Sequence, residues 1–234
     1  LAAAIIKRSG WDQSSPFVDL FAGSATLLIE AAMMHIKRAP GLNKRTFPFV
    51  KHPEFSVTKY NAIRQEAIDA EVPASTQFIG FEISNYVIGK AESNIQQAGL
   101  EEVISINQQD AANATVSKKI KPGWVVSNPP YGERIGDAIE LLSLFKRLGL
   151  NLKKNYENWH VSLLTGQTLL LKLLRLQKSR EFKLKNGQIE SEIERKQDEK
   201  NGIFTKVSVG IGVAIGFLIP IALLEWKLIH NLVN

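Results

Sequence analysis

Residues 181–193, EFKLKNGQIESEI, decide the fold. Two extended runs, Glu181 to Lys185 and Gln188 to Ile193, flank Asn186-Gly187, the strongest two-residue signal for a β-hairpin. The chain before them has a different rhythm. Strands are expected at 17–21, 77–83, 103–107, 124–127 and 160–164, and helices at 26–36, 56–69, 85–98, 138–155 and 167–176. Leu1 to Arg8 reads as a helix stopped by Gly10, and 38–52 reads as a loop. Strands separated by helices of ten or more residues need crossover connections, so this part is a parallel sheet covered on both faces. The hairpin then adds an antiparallel edge, giving an α/β fold with a mainly parallel seven-stranded sheet and an antiparallel C-terminal hairpin.

Composition is that of a globular chain: 44% hydrophobic and 22% charged residues over 234 positions. The absence of cysteine excludes disulfides, thiolate metal sites and a Cys nucleophile, and suits a reducing cytoplasm. A net charge of +6 favours phosphate backbones or anionic surfaces as partners. The first residue is Leu1 and no signal sequence precedes the first helix, so the chain reads as a domain of something longer. After residue 196 the character changes. A charged linker, 197–206, leads to Val207–Leu224, eighteen residues without a charge, which reaches the lower limit of about 17 to 25 for a membrane-spanning helix. Gly212 and Gly216 have the small-xxx-small spacing of packed membrane helices, and a short tail, 225–234, follows. The expectation is a cytoplasmic domain, 1–196, carrying a hydrophobic C-terminal helix that anchors it to a membrane.

In an open parallel sheet, ligands bind beyond the carboxyl ends of the strands where strand order reverses. Four strand ends here carry marked residues. "DLFAGSATLLIEAA" (19–32) ends the first strand with Asp19 and opens the next helix with Ala22, Gly23 and Ser24, small residues that let a ligand approach backbone N–H groups. It lacks the three-glycine dinucleotide pattern. Glu82 closes the second strand and can accept both hydroxyls of a ribose; Asp110 follows the third and can read an adenine amino group. Taken singly, these are equally a tight turn, a solvated acid and a helix cap. Asn128-Pro129-Pro130-Tyr131 ends the fourth strand, because two prolines cannot donate to a ladder. An amide oxygen and a proline carbonyl can accept both hydrogens of a planar amine while the Tyr ring stacks on its base. That directs the nitrogen lone pair at an electrophile, with no protein nucleophile or metal required.

These residues together resemble the class I S-adenosylmethionine-dependent methyltransferases of Rossmann-like fold. More narrowly, "LAAAIIKRSGW" (1–11), "GSATLLIEAAM" (23–33), "RAPGL" (38–42), "NPPYGERIG" (128–136) and "LKNGQIE" (184–190) are similar to the bacterial large-subunit ribosomal RNA guanine-N(2) methyltransferases that carry a THUMP domain. The resemblance runs over about residues 1 to 195. It implies S-adenosylmethionine as cofactor, with Asp19, Ala22, Gly23 and Ser24 at its methionine end, Glu82 on the ribose and Asp110 on the adenine. It implies that Asn128, Pro129, Pro130 and Tyr131 hold a target guanine flipped out of its stack, with Glu133 and Arg134 shaping the loop or touching RNA. The implied partners are large-subunit ribosomal RNA and a THUMP-type RNA-binding domain that would precede Leu1.

The pattern departs from the family at Leu20, where Pro is usual, and at Ala25, where Gly is usual. A methyl at Ala25 crowds the backbone if that position has positive φ. Two other readings stay open: transfer to another amine (a transfer RNA guanine, an adenine or a protein glutamine), or a non-catalytic membrane-tethered module.

Overall fold

A computed structural model describes residues 1–42, 46–130, 137–165, 168–176, 178–186 and 189–196. They divide into two compact units, one comprising 1–32 with the residues from 75 onward and the other 33–74.

The first unit is built on one sheet. Its strands are β1 (Phe17–Asp19), β2 (Phe78–Glu82), β3 (Ile104–Gln108), β4 (Trp124–Ser127), β5 (His160–Thr165), β6 (Lys178–Asn186) and β7 (Ile189–Lys196), and its helices are α1 (Ala2–Ser9), α2 (Thr26–His35, whose last turn belongs to the second unit), α4 (Asn85–Gln97), α5 (Asp137–Asn155) and α6 (Thr168–Leu173); α3 (Val57–Asp69) lies in the second unit. The strand order is β3-β2-β1-β4-β5-β7-β6. β1 to β5 run parallel, whereas β7 pairs antiparallel with both β5 and β6. Order reverses between β1 and β4, the place where such sheets bind ligands.

The inner parallel strands β1, β4 and β5 are buried on both faces, so they read as apolar runs rather than as alternation, whereas the edge strand β3 is largely exposed. Phe17, Val18, Val125, Val126, Val161 and Leu163 are all inaccessible to solvent. One face packs on α5 and α6 through Phe145, Leu148, Leu152, Tyr156, Leu171 and Leu174. Near the amino end of β1, Trp11 meets Phe17 and Phe78 edge-on, with ring centroids 5.0 and 5.8 Å apart.

The approach of α5 to the chain after α6 depends on Gly149. A Cβ built there would lie 2.5 Å from the Leu174 carbonyl oxygen and 2.6 Å from its Cα. Both are backbone atoms that cannot swing aside. Gly149→Ala is therefore expected to lower stability by about 1–3 kcal/mol, although Ala is the better helix former by nearly 1 kcal/mol. A urea titration that found the variant more stable would contradict this packing.

Several element ends differ from the sequence expectation, each for a local reason. β1 stops at Asp19 instead of running to Phe21, because the Leu20 N–H is taken by the Ser127 hydroxyl (2.8 Å) and not by a ladder carbonyl. α6 ends at Leu173: Leu174 and Arg175 donate to carbonyls three residues back, and Arg175 turns left-handed at φ 51. The 38–52 stretch contains two 3-10 turns, Pro40–Leu42 and Pro48–Lys51, each opened by a proline at a position where no N–H is needed. Asn186 pairs with Ile189 and so ends a ladder; in sequence it had been read as a turn residue.

The second unit is held by its own contacts. Phe47 stacks on Phe49 at 5.1 Å, and Phe55 and Tyr60 complete an aromatic cluster. Arg38 donates from Nε and Nη2 to the Glu71 carboxylate, a half-exposed fork. Ser56 caps α3 by accepting the Lys59 N–H.

The linker, the apolar stretch and the tail expected at 197–206, 207–224 and 225–234 lie outside the described residues. Among the described residues, no helix is long and apolar enough to cross a membrane.

Candidate active site

β2, β1 and β4 are neighbours in the sheet, and hydrogen bonds tie their carboxyl ends together. Glu82 is central. Its Oε1 accepts the N–H groups of Ile83 (2.9 Å) and Ser84 (3.0 Å), and its Oε2 accepts the N–H of Gly23 (3.1 Å). Three backbone donors thus fix this half-buried carboxylate at the mouth of the first turn before any ligand arrives. Ile83, beside it, is 65% exposed, a large apolar side chain left bare at a strand end.

The turn itself is tight. Ala25 donates to the Ala22 carbonyl (2.8 Å), Ala22 donates to Phe81 (2.9 Å), and Gly23 has φ 51. A Cβ on Gly23 would have no neighbour nearer than the Phe21 oxygen at 3.9 Å, so the space before it is open. Ala22 is buried with both backbone groups used in this way, and it builds the turn. Ser24 is exposed; its hydroxyl shares a hydrogen bond with Thr26 Oγ1 (2.9 Å), and its carbonyl accepts from Asn94 Nδ2 (3.0 Å).

Ala25 stands where the related pattern has Gly, and it is left-handed at φ 64 and fully buried. The crowding anticipated from sequence is present, because an L side chain in that region costs roughly 1–2 kcal/mol. Ala25→Gly is therefore expected to raise stability by about 0.5–1 kcal/mol after the extra freedom of Gly in the unfolded chain is subtracted. Thermal unfolding checks this, and a lower Tm would mean that the methyl contributes packing that outweighs its strain.

Asp19 is the buried member of the group, 1% exposed. Its Oδ1 accepts the Phe21 N–H (3.0 Å). Burial pushes its carboxyl up to about 7, against the lowering effect of Phe21 and the Ser127 hydroxyl, and the Glu82 charge pushes the same way as burial. Ser127, the last residue of β4, accepts the Leu20 N–H and so ties the two strands where they diverge.

Asp110 sits after β3. The preceding Gln109 N–H bonds the Glu82 carbonyl at 3.0 Å, which joins the two strand ends. Asp110 Oδ1 accepts the Ala112 N–H (2.9 Å), while Oδ2 pairs with Arg147 of α5 (3.0 Å). The same helix grips the rest of this loop. Asn151 Nδ2 donates to the Ala111 and Ala114 carbonyls, both at 2.9 Å, and the Tyr156 hydroxyl donates to Ala114 at 3.1 Å.

Asn128 follows Ser127 directly and is exposed; Pro129 is buried and Pro130 exposed. Tyr131, Glu133 and Arg134 lie outside the described residues.

Gly23 and Glu82 are thus bonded to each other, and Asp19, held by the Phe21 N–H, lies on the adjoining strand; Asp110 flanks them on one side and Asn128 on the other. The residues that sequence reading missed are Ser127 and Arg147. Ser127 had a signal, a hydroxyl inside an apolar strand that must find a partner. Arg147 had none, since its partner is 37 positions away on another element. The group offers chiefly acceptors: carboxylates suited to hydroxyl and amino donors, beside an open turn.

The family described as "UPF0020: RMKL-like, methyltransferase domain" matches residues 1–195. "Ribosomal RNA large subunit methyltransferase K/L" of Pseudoalteromonas translucida is 40% identical over 195 residues, 82% of this chain and 28% of that protein. The protein of the same name in Vibrio cholerae is 39% identical over 191 residues, 80% of this chain and 27% of its own length. The chain thus spans little more than a quarter of these curated relatives. Among solved structures, a methyltransferase complexed with SAH aligns with TM-score 0.74 and 32% identity, over 82% of this chain and 50% of that one. A possible methylase from Clostridium difficile aligns with TM-score 0.74 and 29% identity, over 92% of this chain and 53% of that one.

Proposed function

Because the chain belongs to the RMKL-like methyltransferase-domain family, we propose that it transfers a methyl group from S-adenosylmethionine to the exocyclic amino group of a guanine in large-subunit ribosomal RNA. The observation that carries this reading is the Glu82 carboxylate fixed by the Gly23 N–H at the end of β2, beside the buried Asp19 of β1, with Asn128 at the end of β4 across the point of strand reversal. The names of the curated relatives supply the substrate class, and the SAH of the solved relative supplies the cofactor class.

The residues present fit such a cofactor. Glu82 would hold the ribose hydroxyls on a carboxylate already oriented by three N–H groups. Asp110, braced by Arg147, would take the adenine amino group. The open turn at Gly23 would leave room for the methionine end. When bound, S-adenosylmethionine supplies an electrophilic methyl on a sulfonium. The Asn128 side-chain oxygen and the Pro129 carbonyl accept the two hydrogens of the guanine amine and aim its lone pair at that methyl. The amine nitrogen would take the methyl as the methyl–sulfur bond breaks, with that electron pair left on the departing thioether, and would then release one proton to solvent. No covalent protein intermediate is needed, and orientation provides the rate gain. On this reading a THUMP-type domain outside this chain gathers the RNA, and the reaction takes place in the cytoplasm.

The test has two stages. Calorimetry with S-adenosylmethionine should show one site; no binding would sink the proposal. Labelled-methyl transfer is then offered to undermodified ribosomal RNA, to DNA and to protein. Label in RNA guanine is the expected result, and label in adenine or protein alone would reassign the acceptor.

A further inference from the structure

The outer face of α4 carries a groove whose lining, Ser24 apart, none of the roles above uses. It has a volume of about 540 Å³ and is lined by Ser24, Asn85, Tyr86, Lys90, Ser93 and Asn94, with Gly89 as its floor. A Cβ on Gly89 would meet nothing within 4 Å, so the helix backbone lies bare there. Tyr86 is 74% exposed, and the Lys90 ammonium stands 4.3 Å from its ring centroid. Positions 86, 90 and 93 recur on one side of the helix. No carboxylate lines the groove. One end is fixed to the turn that opens α2, through the bond from Asn94 to the Ser24 carbonyl (3.0 Å).

We propose that this groove is a second RNA-contact site, which stacks one unpaired nucleotide of the substrate on Tyr86 and neutralises its phosphate with Lys90. The inference rests on the RNA reading above and deepens it by naming a contact away from the target base. An exposed aromatic face accepts any base, because every base has a π surface. The cation already over the ring supplies the phosphate partner. Amide and hydroxyl groups of Asn85, Ser93 and Asn94 complete the polar lining that ribose and phosphate oxygens require. A strand reaching from Tyr86 to Asn128 would cross the carboxyl ends of β2, β1 and β4, and so be gripped on both sides of the Gly23 turn.

The test uses the full chain and an unmodified single-stranded RNA fragment, followed by fluorescence anisotropy across a salt series. Tyr86→Ala should weaken RNA binding roughly tenfold and leave the salt dependence as it was. Lys90→Gln should lower the slope of log K against log salt by about one. Both side chains are exposed, so S-adenosylmethionine affinity and Tm should match the wild type, which separates this site from the cofactor site. Both variants should raise the RNA KM with kcat preserved. Unchanged RNA affinity and slope in a chain that still methylates RNA would overturn the inference while sparing the functional reading. A wild-type chain that binds cofactor but no RNA would overturn it too. An acidic peptide whose binding the two variants weaken, with RNA binding unaffected, would give the groove to a protein partner instead.

Discussion

Asn128→Ala should lower methyl transfer by at least about 100-fold while changing S-adenosylmethionine affinity by less than about twofold. The side chain is exposed at the end of β4 and follows Ser127, whose hydroxyl accepts the Leu20 N–H, so its backbone is anchored on the residue before it. Truncation leaves that anchor and the Glu82 group intact. On the proposed reading, what is lost is one of the two acceptors that would orient the amine, and a misaligned lone pair forfeits most of the gain from proximity. Single-turnover kinetics with saturating cofactor read the loss directly, and calorimetry on the same preparation reads cofactor affinity. Loss of cofactor binding would show that Asn128 belongs to the donor side. Unaltered turnover would remove it from the reaction.

Asp19 controls the second large effect, on the pH dependence of stability. Its carboxyl is raised to about 7 in the folded chain, from an ordinary value of 3.8. Below 3.8 both folded and unfolded forms are protonated and the folded form bears no penalty. As pH rises towards 7 the unfolded chain releases the proton and the folded chain keeps it, so stability falls across this window and levels off above it. At about 1.4 kcal/mol per pKa unit, the full difference is roughly 4 kcal/mol. Asp19→Asn, which keeps the shape and removes the titration, should lack this decline. Urea titrations of the ligand-free chain between pH 4 and 8 should show the two curves converging at the acid end and separating towards neutrality. Parallel curves would mean that Asp19 ionises normally.

The sheet was legible because most of its strands are apolar runs separated by helical periods, and the strand ends were legible because Asp19, Glu82 and Asn128 follow such runs while Asp110 closes the polar end of Ile104–Gln108. Position in the run is a local property, so one chain suffices to read it. The charge state of Asp19 was not legible. It depends on burial in the folded sheet and on Ser127 and Glu82, both far away in sequence. The same holds for Arg147, which finds Asp110 only once α5 is packed. Ala25 lies between these cases: the departure from Gly was visible, but the left-handed φ that gives it a cost is a property of the folded turn.

Helix α5 does more than cover the sheet. Arg147 and Asn151 of the helix, with Tyr156 just past its end, hold the Asp110 loop by four hydrogen bonds. On the proposed reading, the adenine of the cofactor would therefore be held by a loop whose position α5 sets. A displacement of the helix would alter that site. Linkage then requires reciprocity: whatever a displacement of α5 does to cofactor affinity, cofactor occupancy does to the position of α5.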